Sequence, residues 1–165
     1  MQDCVFRKLC ADEVPQMFSM ILARMRWMDE NGIRQWNATE YDRAYPLEYY
    51  MDAQYKGRIF ALASVPADEI VCAAILKEED ERWMDGTPAL YIHNFVSRTD
   101  AGGVGARFIE FADEYARSLG KQYLRLDSAE DNVALAAYYE RQGFLPAGKC
   151  TDGPYRGILR QKKLL

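Results

Sequence analysis

In the stretch "SRTDAGGVGARF", Gly102, Gly103 and Gly105 run straight into a helix-like pattern. Glycines let bare backbone approach an anion, and the free N–H groups of a first helical turn, aided by the helix dipole, would hold it. The chemistry this suggests is phosphate binding. A Walker A loop needs Gly-Lys-Ser/Thr at its end, whereas Gly105 is followed by Ala106 and Arg107, so that motif is absent. A dinucleotide fingerprint is better imitated, by Gly103-x-Gly105 and by Asp127 at the end of the next strand pattern. Phe108, however, stands at the third glycine position, and too little chain follows Asp127 to complete such a sheet. For proton chemistry, His93 is the only histidine, and its ordinary pKa of about 6.5 suits proton acceptance near neutrality. Glu78 and Glu79 are weaker base candidates, and Asp127 reads more readily as a strand-end cap. Tyr138 and Tyr139 are phenols, protonated at neutral pH with an ordinary pKa of about 10. Cys4, Cys10, Cys72 and Cys150 are scattered with no C-x-x-C pair, which suggests neither zinc nor a disulfide framework.

The elements that must position these residues follow from periodicity. "CVFRKL" alternates like a strand, and "ADEVPQMFSMILARMRWMDENG" reads as a helix with Val14, Phe18, Ile21, Leu22, Met25 and Met28 on its apolar face. "IRQWNATEYDRAYP" is aperiodic and aromatic, a loop before a short helix that opens at Pro46 and stops at Gly57. "RIFALASV" and "EIVCAAILKE", separated by "PADE", predict an antiparallel hairpin, with "ALYIHNFVS" as the next strand. Val104, Phe108, Phe111, Ala112, Tyr115, Ala116 and Leu119 then recur at helical spacing before Gly120. "QYLRLD" is a strand, "EDNVALAAYYERQGF" a helix ending at Gly143, and two closing strands complete the order β-α-α-β-β-β-α-β-α-β-β.

At 165 residues, 49% hydrophobic and 28% charged, the chain reads as one compact domain, 1–165, within the usual span of roughly 100–200 residues. The first residues lack the pattern of a secretory signal, and the apolar run 59–76 is broken by Pro66, Asp68 and Glu69, so the expected location is the cytoplasm, with no membrane partner. A net charge of −4 argues against a nucleic-acid partner.

Taken together, "YIHNFV", "GGVGARFIEFADEYARSLG", "YLRLD" and "DNVALAAYYERQGF" resemble the GNAT acyltransferase superfamily, strongly over residues 90–144. Asn132, Tyr139, Gly143 and Phe144 match its Asn, helix, Tyr, Gly-Phe pattern. Asp100 departs from it, standing where the family has a basic or amide residue; Arg98 or Arg107 is the expected substitute. The resemblance implies an α/β (α+β) fold: a single GNAT-like domain whose mixed, mostly antiparallel sheet is flanked by helices and splays at a parallel strand pair to form an acetyl-CoA cleft. It implies acetyl-CoA as co-substrate, without a metal. The pyrophosphate would lie on the N–H groups of Gly103, Val104, Gly105 and Ala106, the pantetheine against the main chain of Phe95 and Val96, and Asn132 would hold the cofactor arm. Tyr139 would be the general acid and His93 the candidate base, with Tyr138 as packing. Trp36, Glu40 and Tyr41 fall where the family keeps its variable acceptor loop, although Trp36 reads equally well as a core plug. The implied function is N-acetylation of a primary amine on a small molecule or peptide by direct attack. The alternative is a non-catalytic acyl-CoA-binding sensor or interaction module, and a homodimer stays open.

Overall fold

The computed structural model describes residues 3–164. Among these described residues the strands are β1 (Cys4–Lys8), β2 (Ile59–Ser64), β3 (Ile70–Lys77), β4 (Ala89–Ser97), β5 (Tyr123–Ala129), β6 (Leu145–Asp152) and β7 (Tyr155–Lys163), and the α-helices are α1 (Val14–Glu30), α2 (Tyr41–Ala44), α3 (Leu47–Tyr55), α4 (Val104–Ser118) and α5 (Val133–Arg141). The hydrogen-bonded strand order is β1-β2-β3-β4-β5-β7-β6. The pairs β1–β2, β2–β3, β5–β7 and β6–β7 are antiparallel, and β4–β5 is parallel. This is the expected mixed sheet flanked by helices.

The chain divides into two compact units, Met1–Leu76 with Asn94–Phe108, and Lys77–His93 with Ile109–Leu165. In the first, β2 and all of β3 except its last residue are buried along their whole length. Strands covered on both faces read as continuous apolar runs instead of alternating, which is why "IFALAS" and "IVCAAIL" look alike in sequence. Their core joins Val14, Met17, Met20 and Ile21 of α1 with Tyr50 and Ala53 of α3. Met17 and Met20 are therefore core residues that the apolar spacing did not single out, while Phe18 is only partly buried. Arg7 grips both carboxylate oxygens of Glu13, at 2.9 and 2.8 Å, and Glu13 also accepts the Cys10 N–H at 2.8 Å. That arrangement ties the end of β1 to the entry of α1 and lowers the Glu13 pKa from 4.5 to about 2, the Arg7 hydrogen bond outweighing the opposing cost of burial. The aromatic segment read as a loop contains a single turn of 3-10 helix, Trp36–Ala38, and the one-turn helix α2.

In the second unit, β7 inserts between β5 and β6, running from Tyr123–Lys163 to Ala129–Gly157 pairs on one side and from Leu145–Gln161 to Asp152–Tyr155 pairs on the other. Ile109, Ala112 and Ala116 of α4 are buried, as is Asp113, which meets Lys162 at 2.6 Å and Arg117 at 3.1 Å. Leu119, expected on the apolar face, is 39% exposed because the helix has ended at Ser118 and the chain turns at Gly120, whose φ is +73°.

Candidate functional site

The glycine loop is held at its start. Arg24 of α1 donates to the Ser97 carbonyl at 2.9 Å and to its hydroxyl at 3.1 Å, and the Arg98 N–H bonds the Val71 carbonyl at 2.9 Å. Gly103 then takes φ +79°, a conformation that side chains resist, and its carbonyl accepts the Arg107 N–H at 3.3 Å to open α4. The N–H groups before Arg107 belong to the first turn, where a helix has no carbonyl of its own to offer. Nothing lies within 4 Å of where a Gly103 Cβ would stand. A first helical turn of backbone donors with open space at its left-handed glycine fits a phosphate group. Phe108 is fully buried against the rings of Phe95 (5.1 Å) and Phe6 (5.5 Å), so the bulk that spoils a dinucleotide fingerprint here anchors the base of the helix.

Arg98 does not stand ready for an anion. Its Nε and one terminal nitrogen fork onto Asp100 at 2.9 and 2.8 Å, and the other reaches Glu69 at 3.2 Å. The fork holds the Asp100 carboxyl below its ordinary range and neutralises the residue that departed from the family pattern. Arg107 is exposed in the first turn of α4. Within the same unit Val96 is buried in the core, and Phe95 is half-buried.

The other half of β4 in this unit carries Asn94, buried and at φ +52°, which breaks the strand's regular alternation. Its amide donates to the Tyr41 hydroxyl at 2.6 Å and accepts from that of Tyr49 at 3.2 Å. Trp36 stacks flat on Tyr41 (4.4 Å, 6°), and Tyr45, Tyr49 and Tyr50 continue the ladder with centroid steps of 4.8, 4.8 and 5.3 Å. Trp36 and Tyr41 thus pack on the core, whereas Glu40 faces solvent and pairs with Arg43 at 3.3 Å.

In the second unit, β4 and β5 pair in parallel at Ala89–Tyr123, Leu90–Leu124 and Tyr91–Arg125. Beyond these pairs β4 continues to Ser97 and β5 to Ala129. Residues two apart on a strand share a face, so His93 follows Tyr91 and Asp127 follows Arg125 on the face where the Arg125 guanidinium meets the Tyr91 hydroxyl at 3.2 Å. Loop 78–88 covers that face. Asp80 Oδ2 lies 2.8 Å from His93 Nε2, Arg82 bonds Asp127 at 3.0 Å and Asp152 at 3.1 Å, and Asp85 grips Arg125 at 2.7 and 3.0 Å. The Trp83 ring lies 4.2 Å from the Arg125 guanidinium, whose side chain is 2% exposed. Asp127 also accepts the Tyr155 hydroxyl at 2.6 Å. It is not a strand-end cap: it lies inside β5, paired in register with Leu159, because the strand runs on to Ala129. Burial first, then the Asp127 charge, push the Cys150 thiol up to about 11. The exposed Glu78 pairs at 2.9 Å with Lys121, whose side chain is only 15% exposed.

Asn132 caps α5, its Oδ1 accepting the Leu135 N–H at 3.1 Å. Further along the same helix, Tyr139 is 7% exposed against Phe144 (5.8 Å), while Tyr138 is half-buried. The sequence reading missed Asp80, Arg82 and Asn94; the only hint was the acidic and basic composition of "EEDERWMDG". Among the described residues one group of potential metal donors clusters, Cys10, Asp12 and Glu13, and Glu13 is already bonded there to Arg7 and to the Cys10 backbone.

A short parallel pair, with a glycine-led helix N-terminus following directly on one of its strands, characterises transferases that draw their acyl group from coenzyme A. The Acetyltransferase (GNAT) family matches residues 20–144, and the chain belongs to that family. It is an acetyl-CoA-dependent acyltransferase. The N-acetyltransferase YesJ of Bacillus subtilis (strain 168) is 24% identical over 151 residues, 86% of this chain and 82% of that protein. Among solved structures, a GNAT-family acetyltransferase from Streptococcus agalactiae superposes with a TM-score of 0.80 at 18% identity, covering 97% of this chain and 95% of that one. The PaiA N-acetyltransferase of Thermoplasma acidophilum, solved in complex with coenzyme A, gives 0.72 at 18% identity, over 98% and 99% of the two chains.

Proposed function

We propose that this protein moves the acetyl group of acetyl-CoA to a primary amine of a small molecule or peptide by direct attack. The observation that carries the proposal is the opening of α4, where Gly103 at φ +79° leads into a first helical turn and open space lies where its Cβ would stand. The donors of Gly103, Val104, Gly105 and Ala106 would hold the phosphates, with Arg107 adding charge, and the main chain of Phe95 and Val96 would pair with the pantetheine amides as an added strand does. Asn132, at the cap of α5, would hold the cofactor arm. Bound acetyl-CoA supplies an acetyl group activated as a thioester.

The residues' own part is to manage two protons. His93 accepts one from the amine as its nitrogen bonds to the acetyl carbon, and Tyr139 donates one to the departing sulfur. Burial pushes the Cys72 thiol up, and Cys150 is held up to about 11, so neither of these two offers a thiolate to carry the acetyl group. For the acceptor, Trp36, Glu40 and Tyr41 remain the proposed wall, with the exposed Glu40 carboxylate as the group that would attract an ammonium. Free-thiol release from acetyl-CoA against a panel of primary amines tests the proposal. Amine-dependent turnover with stoichiometric N-acetyl product is expected. Calorimetric binding of acetyl-CoA without turnover on any amine, the behaviour of a sensor module, would overturn it.

A further inference from the structure

Among the described residues, three other than glycine take a left-handed backbone conformation: Glu40, Asp68 and Asn94, at φ +50°, +55° and +52°. Side chains resist that region, and a residue stays in it only where the surrounding structure over-determines the chain. Two of the three converge on one contact. Glu40 leads into α2 directly before Tyr41, and the Asn94 amide donates to the Tyr41 hydroxyl at 2.6 Å while accepting from that of Tyr49 at 3.2 Å. A helix of four residues is far too short to stand by its own backbone bonds. Those bonds are local, from Arg43 and Ala44 to the Glu40 carbonyl and from Tyr45 to that of Tyr41. Side chains fix α2 to the fold: Trp36 stacks on Tyr41 at 4.4 Å, and Asn94 reaches Tyr41 from β4. Burial raises the Tyr41 phenol well above its ordinary value, so the amide meets a neutral hydroxyl. Glycine would take a left-handed φ more cheaply than asparagine. What asparagine adds is an amide carrying both a donor and an acceptor.

We propose that Asn94 is the positioning residue of the acceptor wall; this rests on the reading of Trp36, Glu40 and Tyr41 as that wall given above. Through Tyr41 and Tyr49 it ties α2 and α3 to β4, at the residue before the Phe95 main chain assigned to the pantetheine. The bond to Tyr41 also fixes the adjacent Glu40, whose carboxylate is the group that meets the ammonium. Asn94 acts through Tyr41 and not on the amine itself. With the wall held in advance, binding the acceptor does not also have to order the loop, and that saving appears as acceptor affinity. The cofactor side gains nothing from it, because the phosphates and the pantetheine are assigned to backbone groups that the Asn94 amide does not touch.

Asn94→Gly keeps the left-handed turn and removes only the amide, so it separates the side-chain bonds from the backbone. Hydrogen exchange followed by mass spectrometry reads the effect without substrate. Amides of residues 36–45 should exchange about tenfold faster in Asn94→Gly, while those of α4 keep their wild-type rates. Wild-type exchange over 36–45 would overturn the proposal. In turnover with the fastest amine of the panel, Asn94→Gly should raise the acceptor KM about tenfold with kcat and the acetyl-CoA KM little changed, the pattern of lost uniform binding. Tyr41→Phe keeps the ring on Trp36 and removes the other end of the same bond, so the double variant should be no worse than the poorer single one. Additive losses would mean that the Tyr41 hydroxyl acts apart from Asn94, and the coupling would be refuted. Glu40→Gln probes the wall itself. If it raises the acceptor KM while Asn94→Gly does not, the role of Asn94 alone is refuted; a wild-type acceptor KM in Glu40→Gln refutes the reading of the wall beneath it.

Discussion

Tyr138 and Tyr139 are chemically identical neighbours, separated only by the helix that carries them. At 3.6 residues per turn, adjacent positions differ by about 100°, and on α5 this buries Tyr139 beside Phe144 while leaving Tyr138 half-buried. The proposed acid role belongs to the hydroxyl alone. Tyr139→Phe keeps the ring and its edge contact with Phe144, so thermal stability should hardly change while kcat falls by about 10²–10⁴-fold and acetyl-CoA affinity holds. Tyr138→Phe should match the wild type. Undiminished turnover in Tyr139→Phe, where chemistry limits the rate, would mean that water or the substrate protonates the sulfur.

At the scale of elements, the decisive piece is the junction of the glycine loop with α4. Its donors are backbone groups, so what a mutation changes is the conformation that presents them. Gly103 sits at φ +79° with open space where a Cβ would go, so the Cβ of Gly103→Val has room but the residue must bear left-handed strain of roughly 1–2 kcal/mol or abandon the turn. Gly102 also faces open space but does not share the positive φ. Calorimetric titration with coenzyme A should therefore show affinity falling about tenfold in Gly103→Val, which corresponds to about 1.4 kcal/mol, and little change in Gly102→Ala. Equal affinities in two folded variants would place the phosphates elsewhere.

At the scale of the molecule, β4 and α4 each pass without a break from one compact unit into the other. Among the described residues no helix is long and apolar enough to cross a membrane. A single domain over residues 1–165 should unfold in one cooperative step, and the tryptophans allow each unit to be watched separately, since Trp27 lies in the first and Trp83 in the second. In urea, a variant retaining only Trp27 and one retaining only Trp83 should each show the same midpoint by fluorescence and by circular dichroism. Fluorescence and circular dichroism midpoints that separate within either variant would mean that the units melt independently.

Periodicity and punctuation were enough for the elements. Phe108, Ala112 and Ala116 are buried as their spacing on α4 implies, Pro46 stands at the entrance of α3, and Gly120 and Gly143 take φ +73° and +96° where their helices end. These features are local: a helical face and a left-handed stop depend on residues a turn or so apart. The glycine junction proposed to hold the phosphates was open to reading for the same reason, because its donors are backbone and its glycines fall within four residues. The placement of β7 between β5 and β6 was not, since strand neighbours are chosen by pairings over long chain separations. Nor was the fate of the charges. Arg98 looked like a phosphate ligand until the fold brought Glu69 beside Asp100, and Asp127 looked like a cap until Arg82 and Tyr155 converged on it. Sequence by itself determined which residues could do chemistry and on which elements they ride. Tertiary structure alone decided that Asn94 meets Tyr41, because an amide acquires its partner only when a strand and a helix far apart in the chain are folded to within hydrogen-bond distance.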